Sequence, residues 1–211
     1  TQYGRDFIKN NHSNIKKAKL SLILIFMLST FDQDGFFQPY YDILPKNIDN
    51  FPIFWRESQL KIMKGSHIIK LINDRKNEFI NDYNVICKCC PGFKNKKSFN
   101  DFVYIRTLIG SRNFGIIING IQRSAMVPLS DMLNHNISPN IQWSFNNSSN
   151  CFEMISTSPI IKGDELHDSY GKKCNSKLLL YYGFVLDNNN NNIVEISIKD
   201  KKTEYQFNTQ L

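Results

Sequence analysis

Asp131-Met132-Leu133-Asn134-His135 is the stretch on which the reading of this chain turns. Downstream come Pro139-Asn140, Gly163-Asp164-Glu165-Leu166, Ser169-Tyr170-Gly171 and Tyr182-Gly183-Phe184-Val185, in that order. Each piece alone has an ordinary structural meaning: an Asp capping a turn, an Asn in a loop, a His in a core, a Tyr packing across strands. The information lies in their order and spacing. From Asn119 onward the texture is one of short strands and turns. Residues 146–150, Asn-Asn-Ser-Ser-Asn, read as a turn, and residues 151–161 as a strand pair ending at Lys162-Gly163-Asp164. Asn175 or Ser176 can cap a short helix, Lys177 to Tyr182, with Gly183 in the left-handed position that follows a last turn. The Asn run 188–192 reads as a loop insertion and residues 193–198 as a last strand. His12, His67 and His167 show no partner in the sequence and read as ordinary structural histidines.

Working outward, the half before Asn119 has a helical texture. Residues 14–29 read as a helix with Asn14 as its N-cap. Its apolar run, Leu20 to Leu28, is nine residues long, against the roughly 20 needed to span a bilayer. Residues 36–55, rich in aromatics and proline, read as irregular. Over residues 56–87, Leu60, Met63, Ile68, Leu71, Ile72, Phe79, Tyr83 and Ile86 recur at helical spacing, and Gly65-Ser66 divides the stretch into two helices. Residues 91–97 form a polar loop, after which Ser98 caps a further helix with Asp101 at its third position.

Composition bounds the class. A chain of 211 residues with 41% apolar content suits one domain, or one domain with a sizeable insertion. The formal charge of +7 is scattered among Asn and Ile rather than gathered into a stripe, so nucleic-acid binding is not specifically indicated. Five cysteines, an odd number placed unevenly, fit a reducing, intracellular compartment better than a disulfide framework. Cys87-Lys88-Cys89-Cys90 lacks the second Cys/His pair that tetrahedral zinc requires, so no metal site is expected.

Together with Ser111-Arg112-Asn113-Phe114 and Phe37-Gln38-Pro39-Tyr40-Tyr41, the motifs resemble those of SET-domain methyltransferases, in the subfamily of the Rubisco large-subunit methyltransferase. The resemblance extends from about residue 15 to about residue 198. It implies an α+β fold of small β-sheets with a pseudoknot near Asn134 and Tyr170 and a helical insertion. It also implies methyl transfer from S-adenosylmethionine to a protein side chain, with lysine on a non-histone protein as the target and no membrane partner. A histidine target is the enzymatic alternative. A catalytically inactive SET-fold binding module is the alternative from another class. Tyr170 would orient the transferring methyl group. Asn134, His135, Ser111 and Arg112 would hold the cofactor, and Arg112 could pair with its carboxylate. Tyr182 and Phe184 would line both cofactor and target channel, and Asp131 would lie near the amine.

Such a transfer needs a neutral nucleophile, a fixed line of attack and surroundings that tolerate a cationic sulfonium. Alignment alone can lower the barrier by roughly 7–11 kcal/mol, so no triad is required. The chain indeed has no Gly-x-Ser-x-Gly, His-Glu-x-x-His or P-loop pattern. Residues 1–49 are expected to form the front of the SET region, 50–118 the insertion, 119–187 the catalytic half, and 188–211 an Asn-rich loop with the last strand. The family's glycine-rich cofactor loop has no counterpart in residues 1–49, and Gly4 alone does not supply one. That departure points to a fragment of a longer chain or to an altered cofactor site.

Overall fold

The computed structural model of the chain describes residues 35–89, 92–199 and 204–210. The helix expected over residues 14–29 and any cofactor loop before it lie outside the described residues. In chain order the helices are α1 (Gln38–Ile43), α2 (Glu57–Ile62), α3 (Ile68–Cys89), α4 (Phe93–Lys96), α5 (Phe99–Arg112) and α6 (Asn175–Tyr182). The strands are β1 (Asn113–Ile118), β2 (Ile121–Met126), β3 (Asn134–His135), β4 (Ile141–Asn146), β5 (Cys151–Ser156), β6 (His167–Asp168), β7 (Ile193–Lys199) and β8 (Glu204–Gln210). Among the described residues, no helix is long and apolar enough to cross a membrane. The chain divides into two compact units, Thr1–Lys46 with Glu78–Ser169, and Asn47–Asn77 with Tyr170–Leu211.

In the first unit, α5 is the organising helix. Ser98 Oγ accepts the Asp101 N–H at 3.1 Å, and Asp101 Oδ2 accepts the Ser98 N–H at 2.9 Å. These reciprocal bonds satisfy two of the orphan donors at a helix start, as the sequence predicts. Phe102, Val103, Ile105, Leu108 and Ile109 are buried. Phe102 meets Phe79 edge-on at 6.3 Å and Tyr83 at 5.5 Å, joining α5 to the second half of α3. The buried Arg106 sits between those helices, 3.2 Å from Glu78 and 3.5 Å from Asp82.

Three short helical segments replace expected irregular chain. Pro39 in the first turn of α1 and Pro52 in a 3-10 turn (Pro52–Phe54) preset φ where no N–H is needed. Phe93 is buried against Tyr83, at 6.0 Å, and this anchors α4 inside the stretch read as a loop.

The strands begin at Asn113, earlier than the sequence texture suggests. Phe114 and Ile116 are buried while Gly115 and Ile117 are exposed, the period of two that a half-buried strand requires. Asn119 and Gly120 both have positive φ, 49° and 78°, so the β1–β2 hairpin closes on a turn that Asn-Gly favours. Residues 151–161 do not form their own strand pair. β5 ends at Ser156 and pairs antiparallel with the upstream β4 around the expected 146–150 turn. The stretch past Ser156 carries Pro159, which cannot donate to a ladder. Phe114, Trp143 and Phe152 form a ring triangle at 5.0–5.6 Å that seals β1 onto this hairpin. β3 and β6 form a two-residue parallel ladder, Asn134 beside His167 and His135 beside Asp168.

In the second unit, Ile68, Ile72 and Leu180 form the core, covered by Leu60, Met63, Leu71 and Leu179. Gly65, at φ 90°, separates α2 from α3 as expected. α6 begins at Asn175, and its N-cap is Cys174, without a side-chain cap bond. Asn175 instead bonds Leu186 through both ends of its amide, at 2.8 and 3.1 Å. The Asn run is tied into the fold. Asn189 is buried and donates to Lys173 O and Asn175 Oδ1, both at 2.9 Å. The strand expected over residues 193–198, β7, pairs antiparallel with a further strand, β8, which the sequence did not announce.

Gly183 closes α6 at φ 79°, and a Cβ there would collide with the Asn50 amide. Gly183→Ala combines left-handed strain with that clash. It should lower unfolding stability by about 1–3 kcal/mol, measured by urea denaturation. An unchanged midpoint would show that the turn relaxes freely.

Candidate active site

The residues singled out in the sequence fall in both units. In the first, the β3–β6 ladder is held by one side chain. Asn140 Nδ2 donates to Glu165 O at 3.0 Å, and Asn140 Oδ1 accepts the His167 N–H at 2.7 Å. One amide thus imitates a strand edge and fixes residues 165–167. The ladder continues in the Asn136 N–H, which donates to Asp168 O at 2.9 Å. Asn134 is exposed, and its Nδ2 donates to Glu165 Oε1 at 2.7 Å. His135 is partly buried beside Asp168. Burial pushes the Asp168 carboxyl up, opposed by the Ser169 N–H, the His135 charge and a Trp143 hydrogen bond. His167 is 3.6 Å from Glu165 Oε2, a partner the sequence did not reveal.

Asp131 lies in a 3-10 turn (Ser130–Met132) and is buried. Its Oδ2 accepts the Tyr40 hydroxyl at 2.6 Å. Arg112, the last residue of α5, donates through Nη1 to Asp131 O at 2.7 Å, with Oδ2 at 3.4 Å and the Met132 sulfur at 3.5 Å. Asn113 Nδ2 caps the helix end behind it, 2.6 Å from Ile109 O. Burial raises the Asp131 carboxyl, and the Tyr40 hydrogen bond and Arg112 pull it back. Burial and the same hydrogen bond drive the Tyr40 phenol far above its ordinary value. Asp131 Oδ1 is buried and has no hydrogen-bond partner among the described residues. Just before the turn, Leu129 holds φ 70°, a strained value for a side chain of its kind. Ser111 turns its hydroxyl back onto Leu108 O at 3.0 Å, along its own helix.

In the second unit, Tyr170, Tyr182 and Phe184 form a ring cluster. Tyr170 stacks on Tyr182 at 4.8 Å and meets Phe184 edge-on at 6.2 Å, and Tyr182 lies 6.3 Å from Phe184. All three are partly exposed. α6 and the Gly183 turn fix the last two rings. Lys173 bonds the Tyr170 carbonyl and sits 5.6 Å over the Tyr182 ring. Burial, with Lys177 nearby, pushes its ammonium below the usual lysine range. Ring faces of this kind attract cations by about 0.5–2 kcal/mol, and Lys173 lies within reach of the Tyr182 face. Among the described residues, no group of His, Cys, Asp and Glu is arranged to hold a metal.

Sequence reasoning did not single out Tyr40, Asn140 or Lys173 for a site. Tyr40 stood within a quoted aromatic stretch and Asn140 within a quoted Pro-Asn pair, but no local signal gave their partners. Those partners lie 91 and 25–27 residues away.

The α+β order of helices and small sheets, with a parallel ladder joining the 134–135 and 167–168 segments, is that of a SET domain. The SET domain profile matches residues 4–171, and the chain belongs to this family. Within it, the chain is 24% identical over 202 residues to the N-lysine methyltransferase setd6 of Xenopus tropicalis, covering 85% of this chain and 43% of the relative. It is 23% identical over 215 residues to the Rubisco large-subunit N-methyltransferase of Pisum sativum, covering 92% and 42%. Among solved structures, the SET domain of LSMT bound to lysine and AdoHcy matches with a TM-score of 0.80 at 20% identity, covering 97% of this chain and 53% of that one. The chain therefore spans about half, or less, of the length of these relatives, and the shared fold is of the Rubisco-methyltransferase kind.

The Asp131 carboxyl makes a pH prediction. Its folded value lies above the ordinary 3.8, so the folded state holds the proton more tightly than the unfolded one. Its contribution to stability is then fullest below 3.8 and is lost as pH rises through the folded value. Asp131→Asn cannot titrate. The difference in Tm between variant and wild type should shift in the variant's favour from pH 3 to pH 7, followed by circular dichroism. A shift the other way contradicts a raised carboxyl.

Proposed function

We propose that this chain is the SET region of an S-adenosylmethionine-dependent protein-lysine N-methyltransferase. The observation that carries the proposal is the Tyr170–Tyr182–Phe184 ring cluster, found in a chain whose residues 4–171 are a SET domain. Relatives named as lysine methyltransferases, setd6 and the ribosomal set10 among them, support lysine over histidine. Names that include ribosomal and Rubisco substrates support a non-histone protein target. The five unevenly placed cysteines support an intracellular setting, cytoplasm or nucleus.

The residues present suit the cofactor. Aromatic faces tolerate a sulfonium, Asn134 is exposed with its Nδ2 held by Glu165 Oε1, and among the described residues Asp131 Oδ1 is a buried acceptor without a hydrogen-bond partner. When bound, S-adenosylmethionine supplies an electrophilic methyl group and leaves as the neutral thioether. In this reading Asn134 and the His135 backbone hold the cofactor with Ser111 and Arg112. Arg112 carries five N–H donors, and the contacts to Asp131 and Met132 all run through Nη1. Tyr182 and Phe184 line the cofactor and the target channel. Tyr170 orients the methyl group, and Asp131 receives the target side chain. The amine must shed its proton to water before attack, because only its lone pair can form the new N–C bond. Residues 50–118 serve as the insertion and residues 119–187 as the catalytic half.

Single-turnover methylation across pH, with the product residue located by mass spectrometry, tests this. Tyr170→Phe should lower turnover at least about tenfold with cofactor affinity unchanged, since its contact matters in the transition state. Asn134→Ala should weaken cofactor binding about tenfold or more, the loss of a charge-assisted contact. Turnover should climb with pH toward the lysine value near 10.4. A plateau near neutral pH would indicate histidine, and full turnover in Tyr170→Phe would reduce that residue to packing.

A further inference from the structure

The two oxygens of the Asp131 carboxyl are in different situations, and Tyr40 makes the difference. The Asp131 side chain is fully shielded from solvent, at 0% exposure. Oδ2 is taken by the Tyr40 hydroxyl at 2.6 Å and faces Arg112 Nη1 at 3.4 Å. The backbone carbonyl is taken by Arg112 at 2.7 Å. Oδ1 alone has no hydrogen-bond partner among the described residues. Buried acceptors are rarely left unmade, because burial strips their water without return. A fold that ties down two of three acceptors and leaves the third buried has kept an acceptor for a ligand. The tie is long-range: Tyr40 reaches Asp131 across 91 positions, from α1 to the turn before β3. Tyr40 and Arg112 pull against burial, which is the larger influence and raises the carboxyl.

Resting on the methyl-transfer reading above, we propose that Tyr40 is a positioning residue, which by occupying Oδ2 fixes Asp131 so that Oδ1 accepts the N–H of the target side chain. Without the phenol, the carboxyl can rotate or share Oδ1 with Arg112, and the acceptor is lost to the substrate. Tyr40 itself touches no reacting atom.

The test measures methyl transfer from S-adenosylmethionine to N-acetyl-lysine amide by the full-length protein. Wild type, Tyr40→Phe, Asp131→Asn and the double variant are compared. Tyr40→Phe should raise KM for the acceptor about tenfold, with kcat within about twofold and cofactor Kd unchanged. In the Asp131→Asn background the same change should have no further effect. An unaltered KM in Tyr40→Phe, or the full loss in the Asp131→Asn background, overturns the proposal and leaves the methyl-transfer reading standing. Parallel losses in kcat, KM and Tm mark a merely structural tyrosine and overturn it too. No transfer by wild type overturns both. Should Tyr40→Phe fail to fold, 3-fluorotyrosine at position 40, a stronger donor of similar size, should lower KM below wild type. A raised KM overturns the proposal.

Discussion

Two residue pairs in parallel, Asn134 with His167 and His135 with Asp168, are the constraint on which the rest of the first unit depends. A two-residue parallel ladder has too few bonds to stand alone, and parallel pairing is slightly weaker per residue than antiparallel. It persists because its surroundings over-determine it. Asn140 fastens the incoming strand at both polar ends of its amide, and the Asn136 N–H extends the ladder to Asp168 O. Asp168, buried beneath, takes hydrogen bonds from the Ser169 N–H and Trp143. Trp143 in turn belongs to the ring triangle that seals the β4–β5 hairpin. Packing, a buried carboxyl and a backbone ladder are thus one structure.

The turn that leads into this ladder is strained rather than relaxed. Leu129 holds a positive φ, and the Asp131 N–H reaches back to Val127 O at 3.2 Å. Such a conformation costs on the order of 1–3 kcal/mol and lasts only when its neighbours enforce it. Arg112 at the Asp131 carbonyl and Tyr40 at its carboxylate supply that enforcement. The same two contacts fix the entry to Asn134 and His135. The second unit reaches its own precision differently. There α6, the left-handed Gly183 and the Asn175–Asn189 amide bond set the backbone around Tyr182 and Phe184, and Tyr170 stacks on Tyr182.

The parts of this architecture legible in the sequence are those set by local chemistry. The Ser98–Asp101 box, the Gly65 break, the Gly183 terminus and the 146–150 turn each follow from a few neighbouring side chains. What the sequence concealed depends on distant partners. The β1–β2 hairpin was masked because Asn113 to Ile118 directly continues a helical pattern, although Asn119-Gly120 carried the signal for its turn. β5 was paired with the wrong neighbour because alternation marks a strand without naming its partner. The Asn run looked like an insertion because its composition hides the single buried amide, Asn189, that ties it down. Of the candidate site, the residues are proposed from motif order and spacing through the family resemblance. The Tyr40–Asp131–Arg112 bonds, and a buried Oδ1 with no hydrogen-bond partner among the described residues, were not legible there, since burial and three-dimensional contact alone create them.

The central proposal is that the β3–β6 ladder, fastened by Asn140, supports the cofactor-binding residues Asn134 and His135. The direct measurement is calorimetric titration of S-adenosylmethionine into the full-length protein and its Asn140→Ala variant, with folding checked by circular dichroism. The account predicts binding by the wild type and at least tenfold weaker binding by a folded variant, since both fastening bonds are lost together. Equal affinity in the two proteins would contradict it.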